Sequence, residues 1–412
     1  MKTVQIFFSI FAYLIISTKI YAADLTNVNE LPEWFKDNLK REVKITKKTR
    51  LKFKPLNINK KILGKVKLVS KGDSFWSYTI NIGRKTAPLE CYVVPEHDGT
   101  SNTLHYFIES SLDQFAKGAN LSVSSTQNFA LDVGVIANTP YISYDIFYIV
   151  GNDKKKSSGI IKALSASTNN TLQVCLHNSI GFRETFFKVF ESFTKAFIDS
   201  DENKEFYNTV YQFNINGIPA GYVRDKYSLD EDGDVYRKSD SAMMIPVNNS
   251  SVARLDSEMK EWSGIDGSVI NAISHSVENG SLASLFSINY KEDKWHVNGE
   301  LQGKAINSTL VYDKWLLSGY GNYLETIGLA QSEEKAAEYY AWIPDTDPTS
   351  AIKVKIRKIS DNTLTNFEYS MGQLLMKLSI DEKGNIKKGF LHQGPVETMM
   401  KPLYIEGEPI LK

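Results

Sequence analysis

Cysteine is scarce in this chain, two in 412 residues, which excludes a small scaffold stapled by many disulfides. An excess of one charge is missing too. Forty-eight basic residues face 48 acidic ones, so the chain is not a generally basic nucleic-acid binder. Twelve prolines and 25 glycines are too few for a collagen-like or low-complexity chain, and 42% apolar residues are too many for a wholly disordered one. No segment offers the ~20 consecutive apolar residues that a spanning helix needs.

Patterns that carry chemistry are equally sparse. The histidines at 97, 105, 177, 275, 296 and 392 never stand as His-x-x-x-His or His-Glu-x-x-His. Gly-x-Ser-x-Gly and a phosphate-cradling glycine loop are absent. Ser-x-x-Lys occurs at Ser192/Lys195, Ser257/Lys260, Ser332/Lys335 and Ser350/Lys353. With 39 serines and 40 lysines, chance alone supplies about four such pairs, and their companion motifs are missing. The acidic run Asp230-Glu-Asp-Gly-Asp234 suggests a calcium loop. Placing Gly233 sixth, however, puts Ser228 first and Ser239 twelfth, where carboxylates belong, so Asp232-Gly233 reads as a hairpin turn. Arg183 and Glu184 read as helix-end charges rather than catalytic groups. No catalytic residue, metal or cofactor is named by the sequence.

What is present begins at the N-terminus. Lys2, an apolar run from Val4 to Ser17, and Tyr21-Ala22-Ala23 form the three parts of a secretory signal peptide over residues 1–22, with cleavage expected after Ala22. The mature protein is then expected to be periplasmic or secreted. In an oxidising compartment Cys91 and Cys175, each in a strand-like run, are expected to form one disulfide. A thiol nucleophile or a metal pair with His97 or His177 has no ligand spacing to support it.

Residues 23–71 read as an amphipathic helix and a basic strand segment. Leu31, Trp34, Phe35 and Leu39 recur at helical spacing within 29–43. From Lys36 to Lys71, fourteen Lys or Arg stand against Asp37 and Glu42. This segment is net +12 while residues 72–412 are net −11, so the neutral total is a cancellation. Arg50–Lys54 and Lys65–Leu68 alternate basic with apolar, as in a strand with one wet face.

The predicted fold class is α+β: a mixed α+β domain over 72–205, then a larger antiparallel β-rich domain over 206–412. In the first, six strand-like runs between Phe75 and Leu176 alternate with helix faces carrying Leu104, Phe107 and Leu112, and then Phe186, Phe190 and Phe193 over about residues 182–199. The polar run Asp199–Glu205 marks the boundary. Beyond it, Asn216-Gly217, Asp232-Gly233, Asp266-Gly267, Asn279-Gly280, Asn298-Gly299 and Gly384-Asn385 predict hairpins and a sheet of about eight to twelve strands, with one helix over Tyr323–Ala337. In strand rhythm, residues 206–404 resemble exported antiparallel-β domains of the lipoprotein-carrier group, which would imply a cradle for an apolar ligand.

These features lead us to expect a non-catalytic binding or accessory protein, acting through protein–protein contacts in a cell-envelope or secretion assembly. Its expected partner-facing residues are Trp34, Phe35, Lys47, Lys48, Arg50, Lys52 and Lys54. The expected partner is an envelope or secretion-machinery protein with an acidic face, or an anionic membrane surface, and not nucleic acid. The competing reading is that the helix packs on its own body and the lysines solvate an edge strand. Two alternatives in function are a carrier of a lipid-like ligand in the β-rich domain and an envelope-polymer hydrolase, whose carboxylate pair would leave no mark in the sequence.

Overall fold

The computed structural model describes residues 25–410 apart from 27–28, 30, 84–85, 153, 169–170, 199–204, 311, 313, 360–364, 373, 382 and 394–395. The expected signal peptide and the polar run 199–204 lie outside the described residues. The chain divides into an N-terminal unit, Ala23–Glu202 with Met244–Arg254, and a C-terminal unit, Asn203–Met243 with Leu255–Lys412. Residues 23–71 fall in the same unit as the sheet that follows them. The four α-helices of the described residues are few beside 23 strands, and antiparallel sheet dominates.

The N-terminal unit starts with helix α1 (Glu33–Leu39), then a two-stranded ribbon, β1 (Lys48–Phe53) and β2 (Ile58–Leu63). Next come β3 (Lys65–Lys71), β4 (Trp76–Asn81), β5 (Leu89–Val94), α2 (Thr100–Gly118), β6 (Ser122–Ile136), β7 (Thr139–Gly151), β8 (Lys156–Ser167), β9 (Leu172–Asn178) and α3 (Arg183–Thr194). The seven strands from β3 to β9 pair antiparallel in the order 3-4-5-9-8-7-6. Strand alternation gives the sheet two faces. On one, Tyr92 stacks on Phe107 of α2 at 4.1 Å. On the other, Leu89, Cys91 and Val93 pack with Phe186, Phe190 and Phe193 of α3 and with Leu51, Phe53 and Ile62 of the ribbon. Cys91 and Cys175 are directly opposed on β5 and β9, with Cα atoms 4.1 Å apart, and form the expected disulfide. The hairpin tip 244–254 is held inside this unit by Asn128. Its backbone N–H donates to the Asn249 carbonyl, and its side-chain amide to that of Asn248, each at 2.7 Å.

Helix α1 is shorter than the expected span 29–43, for a local reason. The chain leaves the helix so that the Glu42 carboxylate can accept the N–H groups of Glu184 and Thr185, both at 2.9 Å, capping the N-terminus of α3. Gly181 lets the chain enter that helix. Its φ is +82°, and a Cβ there would lie 2.3 Å from the Asn38 carbonyl oxygen.

The C-terminal unit contains β10 (Glu205–Ile215), β11 (Ile218–Leu229), β12 (Val235–Asn248) up to Met243, β13 (Ser251–Ser263) from Leu255, β14 (Val269–Glu278), β15 (Ser281–Lys291), β16 (Lys294–Leu301) and β17 (Lys304–Thr309). Helix α4 (Gly319–Gln331) follows, and then β18 (Ala336–Trp342), β19 (Ala351–Ile359), β20 (Thr365–Met371), β21 (Leu374–Ile380), β22 (Ile386–Gln393) and β23 (Val396–Gly407). The sheet has fourteen strands, with β10 paired to β23 at its middle and β17 and β18 at its ends, which exceeds the expected eight to twelve. One turn signal misled. Asn298-Gly299 lies within β16, where a Cβ on Gly299 would sit 2.1 Å from the Leu285 carbonyl oxygen, so the glycine serves close strand approach. The flanking reversals use Glu292-Asp293 (φ 51° and 59°) and Gln302-Gly303 (φ 49° and 78°) instead. Asp230 closes the acidic loop as a turn, its carboxylate accepting the Asp232 and Asp234 N–H groups at 3.1 and 2.9 Å.

Helix α4 starts four residues earlier than expected because Ser318 caps it, its hydroxyl accepting the Gly321 N–H at 3.0 Å. It ends at Gln331, and Ala336–Trp342 is strand rather than helix. A buried charge cluster pins its first turn. Arg237 pairs with Asp225 at 2.9 Å and Glu261 at 3.2 Å, and the same Glu261 oxygen accepts the Gly319 N–H at 2.8 Å.

Candidate functional site

The ribbon β1–β2 carries most of the expected partner-facing residues. Leu51 and Phe53 point inward and are fully buried, and Phe53 meets Trp76 and Phe197 edge-on at 4.8 and 5.6 Å. Alternation therefore turns Lys48, Arg50 and Lys52 outward, and they are exposed, as are Lys47 and Lys54. Thr49 fixes the ribbon's base, its hydroxyl donating to the Gly64 carbonyl at 2.7 Å and accepting the Val66 N–H at 2.8 Å. Tyr78 fixes its middle by donating to the Lys52 carbonyl at 2.9 Å.

Two features set this ribbon apart from an ordinary wet strand. Arg50 stands directly opposite Lys61, a like-charge pairing that costs stability in a sheet. Among the described residues, none of Lys47, Lys48, Arg50, Lys52, Lys54, Lys60, Lys61, Lys65 and Lys67 makes an ion pair with a carboxylate. The unit's other basic side chains more often find one: Lys36, Lys40, Lys188 and Lys195 pair with Glu33, Asp37, Glu184 and Glu191.

The two expected aromatics separate. Trp34 is 58% exposed, whereas Phe35 is 2% exposed and packs against Phe129 and Phe147, with ring centroids at 6.5 and 5.9 Å. Phe35 is thus a core residue of α1, not a surface anchor. Adjacent positions on a helix lie about 100° apart, so only one of the pair can face outward.

A concavity of about 400 Å³ opens between β2 and the second half of α3, lined by Lys48, Lys60, Lys61, Lys188 and Lys195 around Glu191. Ser192 forms its floor, accepting the Leu63 N–H at 3.0 Å and so tying the ribbon's edge to the helix. A second concavity, about 320 Å³, lies by the start of α3 and shares Lys188 with the first. Asp145 on β7 and Lys162 on β8 line it, and His177 on β9 continues their row across the sheet. All three are buried. Arg183 reaches the Asp145 carboxylate at 2.7 Å, and the Lys162 ammonium donates to the Ser179 carbonyl.

Burial dominates these groups. It raises the Asp145 carboxyl to about 6 despite the charges of Arg183 and Lys162. It lowers Lys162 to about 8 against the pull of Asp145. It also depresses His177 to about 3, with Lys162 adding repulsion. The sequence reading missed Asp145 and Lys162 and treated His177 only as a neighbour of cysteine. A partial signal was available for Lys162, a lone charge within the apolar run Gly159-Ile-Ile-Lys-Ala-Leu164. Arg183, read as a helix-end charge, forms an ion pair at the start of α3, itself half exposed and its Asp145 partner buried.

Among the described residues no group of three or more His, Cys, Asp or Glu side chains is placed to hold a metal ion. No protein-family model matches the chain, and no curated protein does. Among solved structures, a β-barrel-like protein of a domain of unknown function from Brucella abortus is similar over 48% of this chain and 96% of that one, at 8% identity and a TM-score of 0.40. At that score the likeness carries no argument about function.

Proposed function

We propose that this chain is an exported, non-catalytic binding protein that docks an acidic partner, in a cell-envelope or secretion assembly, through the cationic ribbon β1–β2. The observation that carries the reading is the set of exposed ribbon cations with no carboxylate partner among the described residues. Unpaired like charges repel one another and are relieved when an anionic surface covers them. Export is supported by the leader-like segment 1–22 and by the Cys91–Cys175 disulfide, which persists in oxidising compartments.

The test replaces Lys47, Lys48, Arg50, Lys52 and Lys54 with glutamine and compares site-specific crosslinking from position 34 in the native envelope. All five side chains are exposed, so each change is expected to alter stability by no more than about 0.5 kcal/mol. Crosslinked complexes should disappear while the melting temperature stays nearly constant. Unchanged crosslinking in the glutamine variant refutes docking through the ribbon.

A further inference from the structure

We infer that the concavity between β2 and the second half of α3 is a binding site for clustered phosphate groups. The inference rests on the reading of the ribbon as an anion-facing surface and adds a defined pocket and ligand chemistry to it. Five lysines, Lys48, Lys60, Lys61, Lys188 and Lys195, surround the single Glu191, an excess of four positive charges. Lys195 is paired to Glu191 at 2.7 Å and Lys188 to Glu184 at 3.6 Å, while Lys48 and Lys61 have no carboxylate partner among the described residues.

A helix C-terminus attracts cations, and Lys60 answers that need by donating to the Ile198 carbonyl at 3.3 Å just beyond α3. One lysine suffices for that purpose, and with Lys188 and Lys195 already paired to carboxylates, Lys48 and Lys61 are left without an anion of their own among the described residues. The lining also contains no arginine. Carboxylates are gripped best by the planar guanidinium fork, whereas ammonium groups act as rotatable point charges that suit a tetrahedral oxyanion approached from several sides. The volume of about 400 Å³ falls in the range of small-molecule sites and exceeds what a single phosphate fills. Ser192 and the Phe53–Phe197 contact hold the two walls together, so the lysines are carried on packed elements.

The clustered phosphates could belong to a lipid headgroup or to a free polyphosphate, and the test separates these. Tripolyphosphate is titrated into the purified protein by calorimetry at physiological salt, with citrate as a planar-carboxylate control of similar charge. Saturable one-to-one binding is expected for tripolyphosphate, at least tenfold tighter than citrate. Lys60→Gln/Lys61→Gln/Lys195→Gln should weaken it at least tenfold. Arg50→Gln/Lys52→Gln/Lys54→Gln, which leaves the concavity intact, should weaken it less than threefold. Because Lys60 also bonds the Ile198 carbonyl, Lys61→Gln/Lys195→Gln is measured beside the triple variant and should show most of the same loss.

Co-sedimentation with phosphatidylcholine vesicles containing a bisphosphorylated inositol lipid, competed by tripolyphosphate, would assign the ligand to a headgroup. Tripolyphosphate binding without vesicle binding would assign it to a free anion. Absent saturation, equal binding of citrate, or equal weakening by both glutamine sets would overturn the pocket. Failure here with ribbon crosslinking preserved leaves docking standing and removes only the pocket. Phosphate binding with crosslinking unaffected by the five-glutamine variant does the reverse.

Discussion

Breaking the Cys91–Cys175 bond should release the centre of the N-terminal sheet. The bond joins β5 to β9, the strands through which β3–β4 connect to β8–β7–β6, across 84 residues of chain. For a loop of that length the chain-entropy argument gives about 4.5 kcal/mol at room temperature. That is a factor of roughly 10³ in the opening equilibrium, at 1.36 kcal/mol per decade. Both sulfurs are fully buried beside Phe186 and Phe190, so Cys91→Ala/Cys175→Ala also leaves small voids, worth about 1 kcal/mol more. Hydrogen exchange read by mass spectrometry on peptides of β5, β8 and β9 should show protection falling by about three orders of magnitude after reduction. Alkylation of two thiols confirms that reduction occurred. Unchanged protection with both thiols alkylated would refute the reasoning, because it would mean that strand pairing alone holds this sheet.

Acid should weaken the same unit. Burial depresses His105 to about 4 and His177 to about 3 from an ordinary 6.5, so the unfolded chain binds protons that the folded chain refuses. Their contribution is full above pH 6.5 and is lost as pH falls, by about 3 kcal/mol each at pH 4. Asp145 works the other way. Its carboxyl is raised from 3.8 to about 6, so the folded state gains by up to about 3 kcal/mol as pH falls through that window. The balance is a loss of roughly 3–4 kcal/mol at pH 4, and in thermal melts of His105→Gln/His177→Gln that loss should vanish and give way to the gain from Asp145 as pH falls from about 6 to 4. In the C-terminal unit, Arg237→Leu strands two buried carboxylates, Asp225 and Glu261, and should cost about 3–5 kcal/mol in denaturant unfolding. Adding Asp225→Asn and Glu261→Gln should recover most of it, and a full loss in the triple variant would show that packing, not charge, was removed.

How much was legible follows from how local each cause is. Strand-like runs between Phe75 and Leu176 and the phenylalanine spacing on the buried face of α3 were legible, because both patterns are written by neighbours in the chain. The disulfide followed from having only two cysteines, each in a strand, in a sequence with an export-like leader. Strand number failed where turn chemistry was unusual. Glu292-Asp293 adopts two positive φ values without glycine, and Asn298-Gly299 spends its glycine on contact between strands.

The site divides in the same way. Composition by itself determined that residues 36–71 carry a surplus of positive charge, since charge is additive and needs no fold to be counted. Whether that charge was spent internally could only be decided by the tertiary structure, because an ion pair is a distance between residues far apart in sequence. Folding leaves the ribbon lysines without a carboxylate partner among the described residues, buries Phe35 while exposing Trp34, and brings Lys60 and Lys61 to Lys188 of α3 and to Lys195 at its C-terminal end. It also aligns Asp145, Lys162 and His177 in one row, from strands that the sequence could identify but whose register it could not set. A shift of one residue would send each to the opposite face, so that row exists only once the hydrophobic faces of β7, β8 and β9 have been packed.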